Sequence, residues 1–235
     1  MNNNLDIVYV LKKDIEPEEL RYSLRSVEKY FPHRFIWFVG GCPTGIKPDR
    51  WLKHEQTGGT KWERVKSSLI EICKQPELSE DFYLFNDDFF ILKPPTGEFI
   101  NMTDGTIERR ITEIVTRSGS SGYTRQLKDL KVHLSYRGYD TISFAVHMPF
   151  LVNKTNLLTL LKSRDQHQMF RGLYGNVYKV PYIYHKDCKI YDKENIPGKD
   201  WDYLSTTEVS FQFGKVGEWI RETFKEPSRF EIFGG

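Results

Sequence analysis

Short apolar runs alternate with amphipathic segments in the first part of the chain. Asp6–Leu11 and Phe35–Val39 are β-branched and aromatic, which is typical of buried strands. Between them, Pro17–Tyr30 has apolar residues at helical spacing, with proline at its start and acids in its first turn. A capping-box pattern, T-x-x-E, predicts a second helix over Lys61–Lys74. This alternation predicts β-α-β units with parallel strands.

The run Phe82–Leu92, FYLFNDDFFIL, is apolar on both sides of Asn86, Asp87 and Asp88. It predicts a third parallel strand over Phe82–Asn86, which delivers both acids to the carboxyl edge of the sheet. Ligands bind at that edge in open α/β sheets. The alternative is that the two acids cap a turn between strands, where aspartate is common.

The pattern is looser beyond Pro95, and Arg117–Tyr123 is expected to be a flexible loop. In this region we expect strands at Phe99–Thr103, Thr141–Val146 and Lys179–Tyr184. We expect helices at Thr124–Ser135, Asn153–Lys162, Gln168–Tyr174 and Val216–Phe224. The whole predicts one α/β domain over residues 1–235, with a mixed, mainly parallel sheet flanked by helices.

The amino-acid composition narrows the possible functional classes only slightly. The 235 residues carry a net charge of +2, so no strong basic or acidic balance indicates a partner. Three widely separated cysteines fit reduced thiols in a cytosolic protein. No run reaches the roughly 18 apolar residues of a membrane helix, and the start of the chain lacks signal-peptide features. We therefore expect no membrane span and a cytoplasmic location.

Adjacent carboxylates in an apolar setting must be paired or must coordinate a cation. Oxygen ligands of this kind suit Mn²⁺ or Mg²⁺. Asp87 and Asp88 are therefore a predicted metal site that holds a diphosphate.

Several segments occur in the order found in a known family. ELRYSLRSVEKYFP, FIWFVGG, SEDFYLFNDDFFIL and HMPFLVNK resemble the motifs of Stealth-type sugar-phosphate transferases, and the later STTEVSF fits their phage-encoded relatives. Those relatives are treated as glycosyltransferases of the GT-A fold, which is related to the Rossmann fold. The resemblance implies a nucleotide-sugar-binding half at 1–95 and an acceptor-side half at 96–235. For a phage protein the expected location is the host cytoplasm.

The resemblance implies that Asn86, Asp87 and Asp88 stand where GT-A enzymes carry a DXD motif, whose carboxylates hold a metal ion on the donor diphosphate. The resemblance adds His185 as a third ligand, against the alternative of a surface histidine. Further donor-binding candidates are Tyr9, Arg21, Arg25, Lys61, Arg64 and Arg171. The alternatives are core packing for Tyr9, a surface ion-pair ladder for the two helix arginines, and a solvated helix start for Lys61 and Arg64.

His147 ends an apolar segment that Asp140 precedes. A histidine beside a carboxylate is a candidate general base for an acceptor hydroxyl, although single histidines are more often structural.

Three functions follow from these observations. The first is a metal-dependent glycosyltransferase that uses a nucleoside-diphosphate sugar and acts on a glycan or a modified DNA base. In Stealth proteins the first strand is followed by an Asp-Gly loop, whereas this chain has Lys12-Lys13-Asp14, which favours glycosyl transfer. The second is a Stealth-like sugar-phosphate transferase that releases a nucleoside monophosphate. The third is a noncatalytic nucleotide-sugar-binding module.

Overall fold

The computed structural model describes residues 4–164 and 166–232. The strands are β1 (Asp6–Leu11), β2 (Ile36–Gly40), β3 (Arg50–Leu52), β4 (Asp81–Phe85), β5 (Phe89–Ile91), β6 (Asn101–Thr103), β7 (Phe150–Asn153), β8 (Tyr182–Tyr184), β9 (Lys189–Ile190) and β10 (Tyr203–Thr206). The helices are α1 (Pro17–Tyr30), α2 (Lys61–Cys73), α3 (Ile107–Ser118), α4 (Gly122–Tyr136), α5 (Lys154–Lys162), α6 (Phe170–Val177), α7 (Glu208–Phe213) and α8 (Lys215–Thr223). None of the helices within these described ranges has the length and apolar character needed to cross a membrane.

The chain divides into two compact units. The first comprises Met1–Phe99, His147–Lys154 and Cys188–Gly235, and the second comprises Ile100–Val146 and Thr155–Asp187. The predicted roles of a donor half at 1–95 and an acceptor half at 96–235 stay predictions.

The first unit contains a sheet in the order β3-β2-β1-β4-β7. β1 is parallel to both β2 and β4, which confirms the predicted set of three parallel neighbours. β7 is antiparallel to β4 at the edge. The sheet is therefore mixed and mainly parallel, as predicted, and it has the strand arrangement of a Rossmann-like fold.

The predicted helix over Lys61–Lys74 is confirmed as α2, and its cap has the expected reciprocal bonds. The Glu63 backbone N–H donates to Thr60 Oγ1 at 3.1 Å, and the Thr60 N–H donates to Glu63 Oε2 at 2.9 Å. Both orphan N–H groups are thus satisfied, so the helix begins where the capping pattern placed it.

The apolar run around Asn86 is two strands in two sheets. β4 ends at Phe85, and the Phe89 N–H closes a turn by donating to Asn86 O at 3.3 Å. β5 then pairs antiparallel with β10, which pairs in parallel with β9. A core cluster covers this second sheet with side chains from α7 and α8 and the sheet itself: Phe90, Ile190, Leu204, Phe211, Val216, Ile220 and Phe224.

The second unit pairs β6 with β8 in parallel, and it also contains α3, α4, α6 and α5 from Thr155 onward. Buried Arg110 of α3 forms ion pairs there with Asp104 and Asp187. The strand predicted at Thr141–Val146 is wrong, because only an isolated bridge joins Ile142 to Thr106. The expected loop Arg117–Tyr123 is shorter than predicted, since α3 and α4 extend into it from both sides and leave residues 119–121 between them.

Candidate active site

The parallel sheet reverses its order at β1. The chain moves from β1 to β2 on one side and returns to β4 on the other. Lys12 follows β1, and Asn86, Asp87 and Asp88 follow β4, so these residues lie at the carboxyl ends of adjacent strands. Such a switch point is where open α/β sheets bind ligands.

Asp88 is held by residues far away in the sequence. Its Oδ2 accepts hydrogen bonds from Lys189 Nζ at 2.7 Å and from Ser205 Oγ at 3.1 Å. Its Oδ1 is buried and has no hydrogen-bond partner among the described residues. A buried carboxylate oxygen without a partner is costly, so this atom is a candidate for contact with a bound ligand.

Burial affects the ionisation of the Asp87 carboxyl. Desolvation raises the pKa of its carboxyl, and the negative charge of Asp88 raises it further. The positive charges of Lys12 and Lys61 act in the opposite direction. Both lysines are therefore close enough to Asp87 for their positive charge to favour its ionised form.

Glu19 of α1 belongs to this charged cluster, although the sequence did not identify it. Thr206 Oγ1 donates a hydrogen bond to Glu19 Oε1. Burial raises the pKa of Glu19 to about 7, with further upward contributions from Asp88 and Asp87. An acid in the first turn of a helix is usually explained by the helix dipole, so the sequence carried no separate signal for this role.

Tyr9 lies within the core beside this edge. It is fully buried, its hydroxyl forms a hydrogen bond with Ser23 Oγ at 3.0 Å, and its ring contacts Phe38 and Phe85. Ser23 Oγ in turn donates to Phe89 O at 2.6 Å. These contacts match the core-packing alternative for Tyr9 and fasten α1 to β5.

The two arginines of α1 share one carboxylate. Arg25 binds Glu231 through two bonds of 2.7 Å, and its Nη1 also donates to the carbonyl oxygens of Phe224 and Lys225 at 2.8 and 3.1 Å. Arg21 Nε lies 3.4 Å from Glu231 Oε2. Arg25 therefore attaches the C-terminal segment, residues 224–231, to α1. A phosphate-binding role for either arginine stays a prediction.

The start of α2 presents the other predicted cations. Lys61 is its first residue and is exposed. Arg64 Nη1 donates to Gly59 O at 3.2 Å and more weakly to Gly58 O at 3.4 Å. Of these two residues, Lys61 is the one whose positive charge acts on the pKa of Asp87.

The remaining predicted residues fall into both units. His147 belongs to the first, where its carbonyl oxygen accepts from Cys188 Sγ at 3.0 Å and its ring lies 6.4 Å from that of Tyr191. Asp140, Arg171 and His185 belong to the second unit. The His185 backbone N–H donates to Thr103 O at 2.8 Å. The predicted pairing of His147 with Asp140, the donor contact of Arg171 and the metal role of His185 stay predictions.

Two of the predicted metal ligands, Asp87 and Asp88, lie together at this site. Within residues 4–164 and 166–232, no group of three or more His, Cys, Asp or Glu side chains has the geometry to hold a metal ion. Asp87 and Asp88 nevertheless offer hard carboxylate oxygens, and Asp88 Oδ1 is buried without a partner. These residues fit a divalent cation whose other ligands are oxygens of substrate and water.

No known family profile matches the chain. It is 36% identical over 92 residues to a capsular polysaccharide phosphotransferase of Aeromonas hydrophila, covering 35% of this chain and 26% of that protein. It is 34% identical over 93 residues to a capsular polysaccharide phosphotransferase of Haemophilus influenzae, covering 34% of this chain and 24% of that protein. The chain thus spans about a quarter of the length of these curated relatives. These partial similarities support the relationship to Stealth-type transferases that the motifs indicated.

Proposed function

We propose that the chain transfers a sugar phosphate or a sugar from a nucleoside-diphosphate sugar to an acceptor hydroxyl. The observation that carries the proposal is the acid pair Asp87 and Asp88 at the switch point of the sheet, with Asp88 Oδ1 buried and without a hydrogen-bond partner among the described residues. Lys12 and Lys61 add positive charge beside the pair, as a site for a diphosphate requires. The acceptor is a glycan or a modified DNA base.

Transfer of a sugar phosphate is the reaction that the relatives' names favour. The acceptor oxygen would form a bond to the sugar-linked phosphorus, and the phosphoanhydride bond would break. A nucleoside monophosphate would leave with the electron pair, while the acceptor proton passes to a base. Glu19 and His147 are the candidate bases in the first unit.

Glycosyl transfer is the second candidate, because Lys12-Lys13-Asp14 replaces the Asp-Gly loop of Stealth proteins. Here the acceptor oxygen would form a bond to the anomeric carbon while the bond from that carbon to the phosphate oxygen breaks. A nucleoside diphosphate would leave with the electron pair, and the acceptor proton would pass to a base. In either reaction Asp87 and Asp88 would hold a divalent cation, Mn²⁺ or Mg²⁺, which offsets negative charge on the leaving phosphate. Lys12 and Lys61 would orient the same phosphates.

The released nucleotide tests the proposal. Nucleoside-diphosphate sugars are incubated with the protein in Mn²⁺ or in chelator, with water and a panel of oligosaccharides as acceptors, and nucleotides are quantified by chromatography. A monophosphate product indicates sugar-phosphate transfer, and a diphosphate product indicates glycosyl transfer. Donor binding without any release would support the noncatalytic module instead.

Asp88→Asn is the variant that links this chemistry to the site. It keeps the size of the side chain but removes the charge, so we expect nucleotide release to fall at least about 100-fold, which corresponds to about 2.7 kcal/mol of transition-state stabilisation. Asp200→Asn, an exposed aspartate in the loop before β10, is the matched control and should retain full activity. Equal release by wild type and Asp88→Asn would remove the acid pair from the mechanism.

A further inference from the structure

The second sheet of the first unit places Lys189 beside the acid pair. β5 begins directly after Asp88, and its antiparallel partner β10 carries Ser205 opposite Phe89. Lys189 is in register with Ser205 in the parallel pair of β10 and β9. Three strands thus bring Lys189 Nζ to 2.7 Å from Asp88 Oδ2, across 101 residues of chain.

Lys189 has unused hydrogen-bonding capacity. Its side chain is 13% exposed, and that of Asp88 is 16% exposed. An ammonium group has three N–H donors, and within the described part of the chain Asp88 is the one hydrogen-bond partner of Nζ. A largely buried ammonium is costly unless its donors are satisfied, so an anion that accepts the remaining donors would be stabilised here.

Lys189 is not the only cation at this site. The charges of Lys12 and Lys61 act on Asp87, and the charge of Lys189 also acts on Glu19. Lys12 follows β1 and Lys61 begins α2, so both lie on the carboxyl side of the parallel sheet. Positive charge therefore comes from three separate elements, which is a suitable arrangement for several phosphate oxygens.

We propose that Lys189, held in place by Asp88, binds the donor's diphosphate directly and forms a phosphate subsite together with Lys12 and Lys61. This inference rests on the proposed function for the identity of the ligand. Asp88 then has two roles, because its Oδ2 orients Lys189 while its Oδ1 remains available for a different contact. Lys189 is a binding residue in this arrangement, and its role does not depend on which bond of the donor is broken.

The first test uses inorganic diphosphate as the probe, in chelator, with calorimetric titration. We expect wild type to bind and Lys189→Gln to bind at least 10-fold more weakly. Lys189→Arg keeps the charge and should stay within about 3-fold of wild type. Lys199→Gln, at an exposed lysine in the loop between β9 and β10, is the matched control and should bind like wild type. Thermal unfolding confirms that each variant is folded.

A double variant separates binding from support of Asp88. Lys189→Met leaves Asp88 without its ion-pair partner, whereas Lys189→Met combined with Asp88→Asn leaves no unpaired charge. If Lys189 only supports Asp88, the double variant binds diphosphate as wild type does, and the inference is wrong. If Lys189 is a ligand, the double variant also loses binding. Absence of diphosphate binding by wild type in chelator would equally overturn the inference.

These outcomes are distinct from failure of the proposed function. Diphosphate binding that depends on Lys189, with no nucleotide released from any donor, would overturn the transferase and leave the subsite in place. If nucleotide is released but diphosphate binds equally well without the Lys189 side chain, the phosphate subsite is wrong and the proposed function stands.

Discussion

At the scale of single residues, the two consecutive aspartates have different surroundings. Asp88 forms an ion pair with Lys189 and accepts from Ser205, whereas the carboxyl of Asp87 has its pKa raised by burial. Glu19 adds a third acid whose pKa is raised to about 7. The charge of the site therefore changes near neutral pH, and protonation of Glu19 there reduces repulsion among the three carboxyl groups.

Glu19→Gln should change how stability depends on pH. The folded protein binds the Glu19 proton more tightly than the unfolded chain, with the pKa raised from 4.5 to about 7. This contribution is complete below pH 4.5 and is lost as the pH rises through 7. After a discount for the partial exposure of Glu19, we expect wild type to lose about 2 kcal/mol of folding stability over this pH range. Glu19→Gln has no proton to lose there, so its stability should not fall in this way. Thermal unfolding between pH 4.5 and 8 measures it.

The control for this change is Glu16→Gln, an exposed position just before α1. Its pH profile should follow that of wild type. Identical slopes for Glu19→Gln and wild type would mean that the folded protein does not hold the Glu19 proton.

At the scale of elements, local signals predicted α1 well. Proline at its start and Pro32 just beyond its end restrict the helix, and the observed bounds are Pro17–Tyr30. The sequence could not tell which residues of α1 face the site. Ser26 Oγ accepts from the Ile91 N–H at 3.0 Å, so part of the RYSLRS motif attaches the helix to β5.

The wrong strand at Thr141–Val146 has a specific cause. Its apolar alternation is typical of a strand, but the Ile142 N–H donates to Asn176 Oδ1 and the Ile142 carbonyl accepts from Asn176 Nδ2, both at 2.9 Å. A side-chain amide thus replaces a neighbouring strand. Such a partner, 34 residues away, leaves no local signal.

Arg25→Ala tests the attachment of the C-terminal segment to α1. The side chains of Arg25 and Glu231 are 11% and 3% exposed, so the change leaves a buried carboxylate without its main partner. We expect a loss of about 3 kcal/mol in the free energy of unfolding, measured with urea. Adding Glu231→Gln should restore part of it, since the unpaired charge is then absent.

Arg21→Ala is the matched comparison on the same helix. Its side chain is 35% exposed and lies 3.4 Å from Glu231, so its loss should cost less than about 1 kcal/mol. If the midpoint of urea unfolding is the same for Arg25→Ala and wild type, the ion pair between Arg25 and Glu231 does not hold the C-terminal segment. Loss of donor binding in a variant of unchanged stability would instead support the predicted phosphate contact.

At the scale of the whole molecule, the first unit is assembled from three separate stretches of chain. Periodicity predicted its parallel strands, because each strand and helix is encoded locally. The partners of Asp88 could not be predicted in this way. Lys189 and Ser205 are 101 and 117 residues from it, and no local pattern specifies pairing at that separation. The acids were therefore identified from the sequence, while the lysine and serine required the structure.

This assembly predicts that the first unit cannot form without its last segment. A chain ending at Asp187 lacks β9, β10, α7 and α8, so Phe90 loses the cluster that buries it. The truncated chain retains all of the second unit, so we expect a smaller cooperative thermal transition by circular dichroism than in the full chain, together with increased binding of a hydrophobic dye. A protease site between Gly198 and Lys199, in the exposed loop before β10, provides the matched control. The cleaved protein retains every residue, so its pieces should co-elute and unfold cooperatively. A transition in the truncated chain as large as in the full chain, with nucleotide binding intact, would contradict the prediction, because the residues after Asp187 would then be dispensable for both the core and the site.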